Sequence, residues 1–247
     1  MPRFFVRQDR VSENSISIVG DDAHHIARSL RMAVGDEIVV CDMQGNEYSC
    51  KISSFDDDKE VLADILSVKY SENEPRCYIK LFQALPKGDK LDTIIQKAVE
   101  CGVSEIIPFQ SERCVVKIKG DAEERKTERR QRISAEAAKQ CGRSVIPEVK
   151  ASVDFEQALQ MAEGSDLCLF CYEGDGTVSL GEILKGFNTK IPQSISIFIG
   201  SEGGFSVKEA QAAREKGMIM TGLGRRILRT ETASGFVLAC LVCATEL

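Results

Sequence analysis

Up to about residue 70, apolar residues alternate with polar ones in short runs; after Pro75 longer apolar runs are separated by stretches of helical period. The first pattern predicts strands over 3–6, 15–19, 36–41, 47–53 and 61–68, since side chains along a strand point to two faces in turn. One helix interrupts them over 21–31, with Asp21 or Asp22 as its cap. Such closely spaced strands suggest a small barrel. The second pattern predicts strands over 78–85, 105–109, 166–172 and 195–199, and a short one over 218–220. Helices are predicted over 91–101, 122–141, 155–162 and 180–187, with another opening at Ser206 and an apolar one over 233–244. Strand and helix in regular alternation predict a parallel sheet covered by helices on both faces. The polar segment 71–75, ending in proline, is the natural boundary, which divides the chain into a β-rich domain over 1–72 and an α/β domain over 73–247.

Two bends near the C-terminus stand out. In the first, Gly200, Gly203 and Gly204 follow the apolar run 195–199, and Ser206 with Glu209 three residues on forms a capping box. Three missing Cβ atoms in five residues allow positive φ and let a ligand approach the backbone; the same spacing also suits a tight strand-to-helix turn. In the second, Gly222 and Gly224 flank Leu223, and Arg225, Arg226, Ile227, Leu228, Arg229 and Thr230 follow. Three arginines beside glycines and two aliphatics suit an anion and a flat base. They also suit a solvated basic turn capped by Thr230 or Thr232, with Glu231 in the first turn of the next helix. Both bends follow strands that look parallel, so both fall at one edge of the sheet, where open α/β sheets bind their ligands.

Composition narrows the classes. The apolar fraction of 43% and charged fraction of 28% are ordinary for a folded soluble chain. No apolar run has bilayer length and the N-terminus lacks a signal core, which predicts a cytoplasmic protein without a membrane partner. Ten cysteines are scattered. Cys168 with Cys171 falls in a strand, where an i, i+3 pair points to opposite faces, and Cys240 with Cys243 falls in an apolar helix, so no metal site is expected. His24 and His25, the two histidines, have no ligand spacing around them and suit domain packing or a nucleic-acid face. The net charge of −6 hides an asymmetry: residues 1–74 hold 8 Lys/Arg against 15 Asp/Glu, and the rest 24 against 23. An RNA-binding protein of this composition must concentrate its arginines locally. The cations of 125–143 read as a solvated helix face or an RNA-facing stripe.

The stretch IGSEGGFS followed by LGRRILRTETA resembles the paired signature of the bacterial 16S ribosomal RNA uracil-N3-methyltransferases, of the SPOUT class. HHIARSLRMAVGDEIVVCDMQGNEY resembles that family's N-terminal domain, and KLDTIIQKAVECGVSEIIPFQSERCVV and EAAKQCGRSVIPEV resemble its middle blocks, in the same order. Ser201 stands where the family usually has proline, and the tryptophan it tends to carry before the middle helix is absent. The resemblance implies an α/β methyltransferase domain with a deep trefoil knot, preceded by a PUA-like β-barrel that docks RNA. It implies S-adenosyl-L-methionine as cofactor, held by Tyr172, Glu173, Ile199, Gly200, Glu202, Gly203, Gly204, Leu223, Gly224, Ile227, Leu228, Arg229 and Thr230.

The reaction expected from it is methylation of N3 of a uridine in small-subunit ribosomal RNA. Uracil N3 must lose its proton and meet the sulfonium in line. Arg229 is the candidate to stabilise charge on a uracil oxygen, and Glu202 or Glu231 to take the proton, although both carboxylates also suit helix-terminus roles. Arg3, Arg7, Arg10, Arg28, Arg31, Arg143, Arg225 and Arg226 are the candidate RNA contacts. The partners implied are small-subunit ribosomal RNA or the assembled subunit, and a second copy in a homodimer; the apolar helix 233–244 suits either a core or that interface. Two other classes fit parts of the pattern: a non-catalytic RNA-binding or ribosome-assembly factor on the same fold, and a nucleotide-phosphate enzyme. The second lacks GxxxxGK[ST] and the lysine that would hold phosphates.

Overall fold

The computed structural model describes residues 1–56, 59–118 and 120–247. The chain divides into two compact units, Met1–Glu74 with Ala138–Ile146, and Pro75–Ala137 with Pro147–Leu247.

The first unit is built on a five-stranded sheet in the order β1-β3-β4-β5-β2. Its strands are β1 (Arg3–Phe5), β2 (Ser15–Val19), β3 (Glu37–Cys41), β4 (Asn46–Asp56) and β5 (Glu60–Tyr70). Strand β1 pairs parallel with β3, and the other ladders are antiparallel. Alternation does what it predicts: Ile16 and Ile18, Ile38 and Val40, and Val61 and Ala63 point inward into one core with Phe4 and Ile26. The helix after β2 differs from expectation. It is α-helical over α1 (Asp21–His24) and continues as one π-helical turn over His25–Ser29. Its cap is Gly20 at φ +69, with no side-chain bond, so neither Asp21 nor Asp22 caps it. A left-handed residue at that corner excludes the usual extended cap. Residues 138–146 join this unit through Glu74, whose carboxylate accepts from Ser144 N at 2.7 Å, Val145 N at 3.1 Å and Arg143 Nη2 at 2.7 Å. Lys139 Nζ also lies 2.9 Å from Asp22.

The second unit is an eight-stranded sheet. In chain order its elements are β6 (Tyr78–Ala84), α2 (Lys90–Glu100), β7 (Glu105–Gln110), α3 (Gly120–Cys141), β8 (Glu148–Val149), β9 (Val153–Asp154), α4 (Phe155–Ala162), β10 (Leu167–Cys171), β11 (Val178–Ser179), α5 (Leu180–Lys185), β12 (Ser194–Ile199), α6 (Val207–Glu215), β13 (Ile219–Gly222) and α7 (Thr230–Glu246). The strand order is β11-β13-β10-β12-β6-β7-β8, β9 pairs with β7, and every ladder is parallel. Every residue over 195–199 and 106–109 is buried. Because successive side chains point to opposite faces, the sheet is covered on both sides. Two-residue strands such as β8, β9 and β11 are too short to leave a period in sequence.

Helix α2 shows its packing in its spacing: Leu91, Ile94, Ile95, Ala98 and Val99 fall at i, i+3, i+4, i+7 and i+8, and all are buried. Gly102 at φ +80 ends that helix. Helix α3 is mixed rather than basic on its open side: Glu124, Arg125, Glu128, Arg129, Arg132 and Glu136 are exposed, while Arg130 is buried on Glu123 at 2.7 Å. That alternation of sign disfavours the RNA-facing stripe. Beneath the carboxyl edge lies an aromatic cluster in which Phe82 stacks on Phe198 at 4.4 Å and Phe170 meets Phe205 at 4.1 Å. Burial of each such ring stabilises by roughly 1.5–3 kcal/mol, so the strand ends above it are anchored. The chain leaves β12 for β13 on the far side of β10, then returns past the end of β12 into α7.

Candidate active site at the carboxyl edge of the sheet

Strands β10, β12 and β13 run parallel, so the segments after them emerge together. They enclose a cavity of about 860 Å³ lined by residues of all three, with Lys90 and Arg113 from elsewhere. A pocket of that size is at the upper end of those that bury a small-molecule cofactor.

The first bend is closed by its own backbone: Gly204 N donates to Ser201 O at 2.9 Å and Gly204 stands at φ +63. A Cβ on Gly200 would meet Gly204 Cα at 3.1 Å, and one on Gly203 would meet Arg113 Cβ at 3.0 Å. Glycine is therefore needed there for close approach. The capping box forms as expected, and the buried Glu209 extends it: one carboxylate oxygen accepts from Ser206 N at 2.8 Å, the other from Glu112 N at 2.8 Å. With Arg113 Nη1 donating to Gly203 O at 2.9 Å, the loop after β7 is thereby clasped to the glycine turn.

The second bend reaches the first through Thr230, whose hydroxyl donates to Gly200 O at 2.6 Å. Arg229, not a threonine, takes the N-cap position of α7 and makes no side-chain cap bond, because a guanidinium has no acceptor for the helix N–H groups; the Thr230 hydroxyl is used on Gly200 instead. Gly224 at φ +111 turns the chain ahead of Arg225. On the third side, a Cβ on Gly174 would lie 2.2 Å from the Tyr172 ring, which packs on that glycine.

All thirteen residues expected to hold the cofactor line this one cavity, as do Arg225 and Arg226. Arg225, Arg226, Arg229 and Ile227 are exposed, Ile227 by 83%. The pairing of Glu202 was not visible in sequence. It accepts from Lys87 N at 3.1 Å and from Lys90 Nζ at 2.8 Å, and Lys90 lies 3.7 Å from Glu231. Burial raises the Glu202 carboxyl, but the Lys90 bond and the backbone N–H groups outweigh it and hold it below its ordinary value. A carboxylate so held is a poor proton acceptor, which favours the structural role for Glu202 over the catalytic one. Lys90 itself is raised, first by its bond to Glu202. Sequence reasoning missed Lys90, Arg113, Thr177 and Phe205; the first two come from blocks far upstream, and only the fold brings them here.

The arginines proposed for RNA separate into two groups. Arg3, with a side chain 14% exposed, is paired with Glu47 at 3.1 Å and bonded to Cys41 Sγ at 3.0 Å. Arg143, 5% exposed, lies against Glu74. Both serve the interior of the first unit, and the phosphate contact expected of them is set aside. Arg7, Arg10, Arg28 and Arg31 are exposed, with Arg7 3.6 Å from Asp9; His24 and His25 are exposed too. Among the described residues no group of three or more His, Cys, Asp or Glu could hold a metal, and burial pushes the Cys171 thiol up to about 12, leaving it a poor nucleophile.

A parallel α/β sheet with a glycine-walled cavity of cofactor size at its carboxyl edge, in a chain that also carries a small β unit, is the arrangement of an α/β ligand-binding domain joined to a second module. The chain belongs to the RNA methyltransferase family: the model described as RNA methyltransferase domain matches residues 72–242, and that described as RNA methyltransferase PUA domain matches residues 18–66. It is 35% identical to the ribosomal RNA small subunit methyltransferase E of Bacillus subtilis, over 100% of this chain and 98% of the relative. It is 32% identical to the protein of that name from Synechocystis, over 96% of this chain and 76% of the relative. A crystal structure of the Neisseria gonorrhoeae ribosomal RNA small subunit methyltransferase E bound to S-adenosyl methionine matches with TM-score 0.85 and 30% identity, covering 98% of this chain and 97% of that one.

Proposed function

We propose that this chain is an S-adenosyl-L-methionine-dependent ribosomal RNA methyltransferase, and that it methylates N3 of a uridine in small-subunit RNA. One observation carries the reading: the two glycine bends converge on a single cavity and are joined at its wall by the Thr230–Gly200 hydrogen bond. The site fits the cofactor's chemistry. Glycines leave backbone amides and carbonyls open to an adenine edge, and Leu223, Ile227 and Leu228 supply apolar faces. The buried Ser201 hydroxyl at the wall has no partner among the described residues. When bound, the cofactor supplies an electrophilic methyl group.

The chain's own residues then have distinct tasks. Arg229 stands at the mouth, exposed and making no cap bond to the helix it precedes. It is the residue to bind a uracil oxygen and steady the anion left when N3 gives its proton to solvent at the open mouth of the cavity. Arg225 and Arg226 meet phosphates. Glu202, tied to Lys90, holds the glycine turn rather than taking the proton. A base inside folded RNA must be turned out to reach such a pocket, which gives the PUA unit its use in docking. The same reading has the protein act in the cytoplasm and pairs two copies through the apolar face of α7, where Phe236 is exposed.

Primer extension on small-subunit RNA from cells with and without the gene tests the assignment. A single uridine whose stop disappears on deletion and returns with the wild-type gene is the expected result. Unchanged methylation at every uridine overturns the N3 reading, and light scattering that finds a monomer overturns the pairing.

A further inference from the structure

We infer that Gln83 is a positioning residue for the methyl-donor site, acting through Thr230 on the Gly200 peptide. The inference rests on the methyl-donor reading above. Gln83 stands on β6 and pairs in register with Ile199, the last residue of β12. Its side chain is fully buried in a strand otherwise apolar at this end, and it does not line the cavity. A buried amide is costly unless its bonds are met. Here the nitrogen is satisfied twice, on Ala84 O at 3.0 Å and Thr230 Oγ1 at 2.9 Å, while Oε1 has no partner among the described residues. A fully buried amide kept with one atom unsatisfied calls for a reason beyond packing.

The direction of each bond follows from chemistry. Ala84 O can only accept, so the amide atom beside it is the nitrogen. That nitrogen also donates to Thr230 Oγ1, so the threonine hydroxyl accepts there and its single proton is left for Gly200 O at 2.6 Å. The relay runs one way, from Gln83 to Thr230 to Gly200. At its far end the Gly200 peptide lies against Gly204, close enough that a Cβ would be 3.1 Å away, so orienting that peptide orients the whole turn. At its middle, Thr230 opens α7 and holds the residue before it, Arg229, at the mouth of the cavity. One buried glutamine thus sets both the cofactor wall and the substrate arginine without touching either ligand.

The test uses the full chain in five forms: wild type, Gln83→Leu, Thr230→Val, Thr230→Ser and the double variant Gln83→Leu with Thr230→Val. Calorimetry measures S-adenosylmethionine affinity, steady-state kinetics on small-subunit RNA separates kcat from the KM for RNA, and thermal melting reports folding. Gln83→Leu and Thr230→Val should each weaken cofactor binding by about tenfold, the scale of one buried acceptor left unpaired. Each should lower kcat while the KM for RNA stays within about twofold, and the two changes together should cost no more than either alone, as for residues acting in one chain. Thr230→Ser keeps the hydroxyl and should recover most of what Thr230→Val loses. Should Gln83→Leu not fold, Gln83→Met, unbranched and of similar length, removes the same amide in its place. Variants that melt lower but bind and turn over as wild type overturn the relay while leaving the methyl-donor reading intact. A folded wild-type chain that binds no S-adenosylmethionine overturns both.

Discussion

Gly200→Ala and Gly204→Ala disturb the same five-residue turn by different physics, and the difference is measurable. At Gly204 nothing lies within 4 Å of an added Cβ, but φ is +63. Left-handed backbone costs an L-residue about 1–2 kcal/mol, and alanine's smaller unfolded-state entropy returns about 0.4–1 kcal/mol. The net loss is about 1 kcal/mol, a fall in melting temperature of about 2–4 °C for a chain of this length. At Gly200 φ is unexceptional, but an added Cβ would lie 3.1 Å from Gly204 Cα and 3.2 Å from its carbonyl carbon. Carbon atoms are comfortable at about 3.5–4.0 Å from one another, so main chain must give way by a few tenths of an ångström. The turn is closed on both sides, by Gly204 N to Ser201 O and by Thr230 to Gly200 O, so the displacement goes into the cavity wall. Gly200→Ala should therefore weaken S-adenosylmethionine binding by about tenfold, or 1.4 kcal/mol, with little change in melting. Gly204→Ala should do the reverse, and Gly204→Asn should melt above Gly204→Ala because asparagine tolerates that region. Calorimetry and melting on the same preparations check this. If Gly200→Ala binds as wild type and Gly204→Ala alone loses the cofactor, the wall argument is wrong.

Three further outcomes follow from the geometry. Glu209→Gln leaves one oxygen for two N–H groups, the buried Ser206 N and the part-buried Glu112 N, and should cost about 1–3 kcal/mol, read as a lower melting temperature and faster proteolysis of the loop after β7. Lys90→Met should destabilise at pH 7 but not in acid. The Glu202 carboxyl is held below its ordinary 4.5, so its pairing adds stability above that value and loses it as pH falls through the lowered pKa; the gap between wild type and variant in pH-dependent melting should narrow as pH falls below the ordinary carboxylate range and close once Glu202 is protonated. Replacing Arg225 and Arg226 with alanine should weaken RNA binding and flatten its dependence on salt by about one for each phosphate the pair neutralised, read from binding isotherms at several salt concentrations.

Much of the chain's architecture can be read from local pattern. The i, i+3, i+4 spacing of α2, the strand period of β2 and β3, the Ser206–Glu209 box and the glycines of both bends each act within a few residues, where sequence and geometry are tied directly. The parallel runs after Pro75 even bring the two bends to one sheet edge. What local pattern does not contain is who meets whom across the sheet. Arg3 and Arg143 read as RNA contacts, yet they are paired with Glu47 and Glu74 and little exposed. Glu202 reads either as a base or as a helix-terminus carboxylate, and Lys90, 112 residues earlier, holds its proton affinity down and favours the second. Gln83 carries no signal of its own within the strand predicted over 78–85 and becomes meaningful only when β12 and α7 close around it. Charge and hydrogen-bond satisfaction are pairwise and short-ranged in space, so the pairs of Glu202 and Gln83 were decided by the neighbours β12 and β6 and the return of the chain into α7, and those of Arg3 and Arg143 by the packing of the first unit.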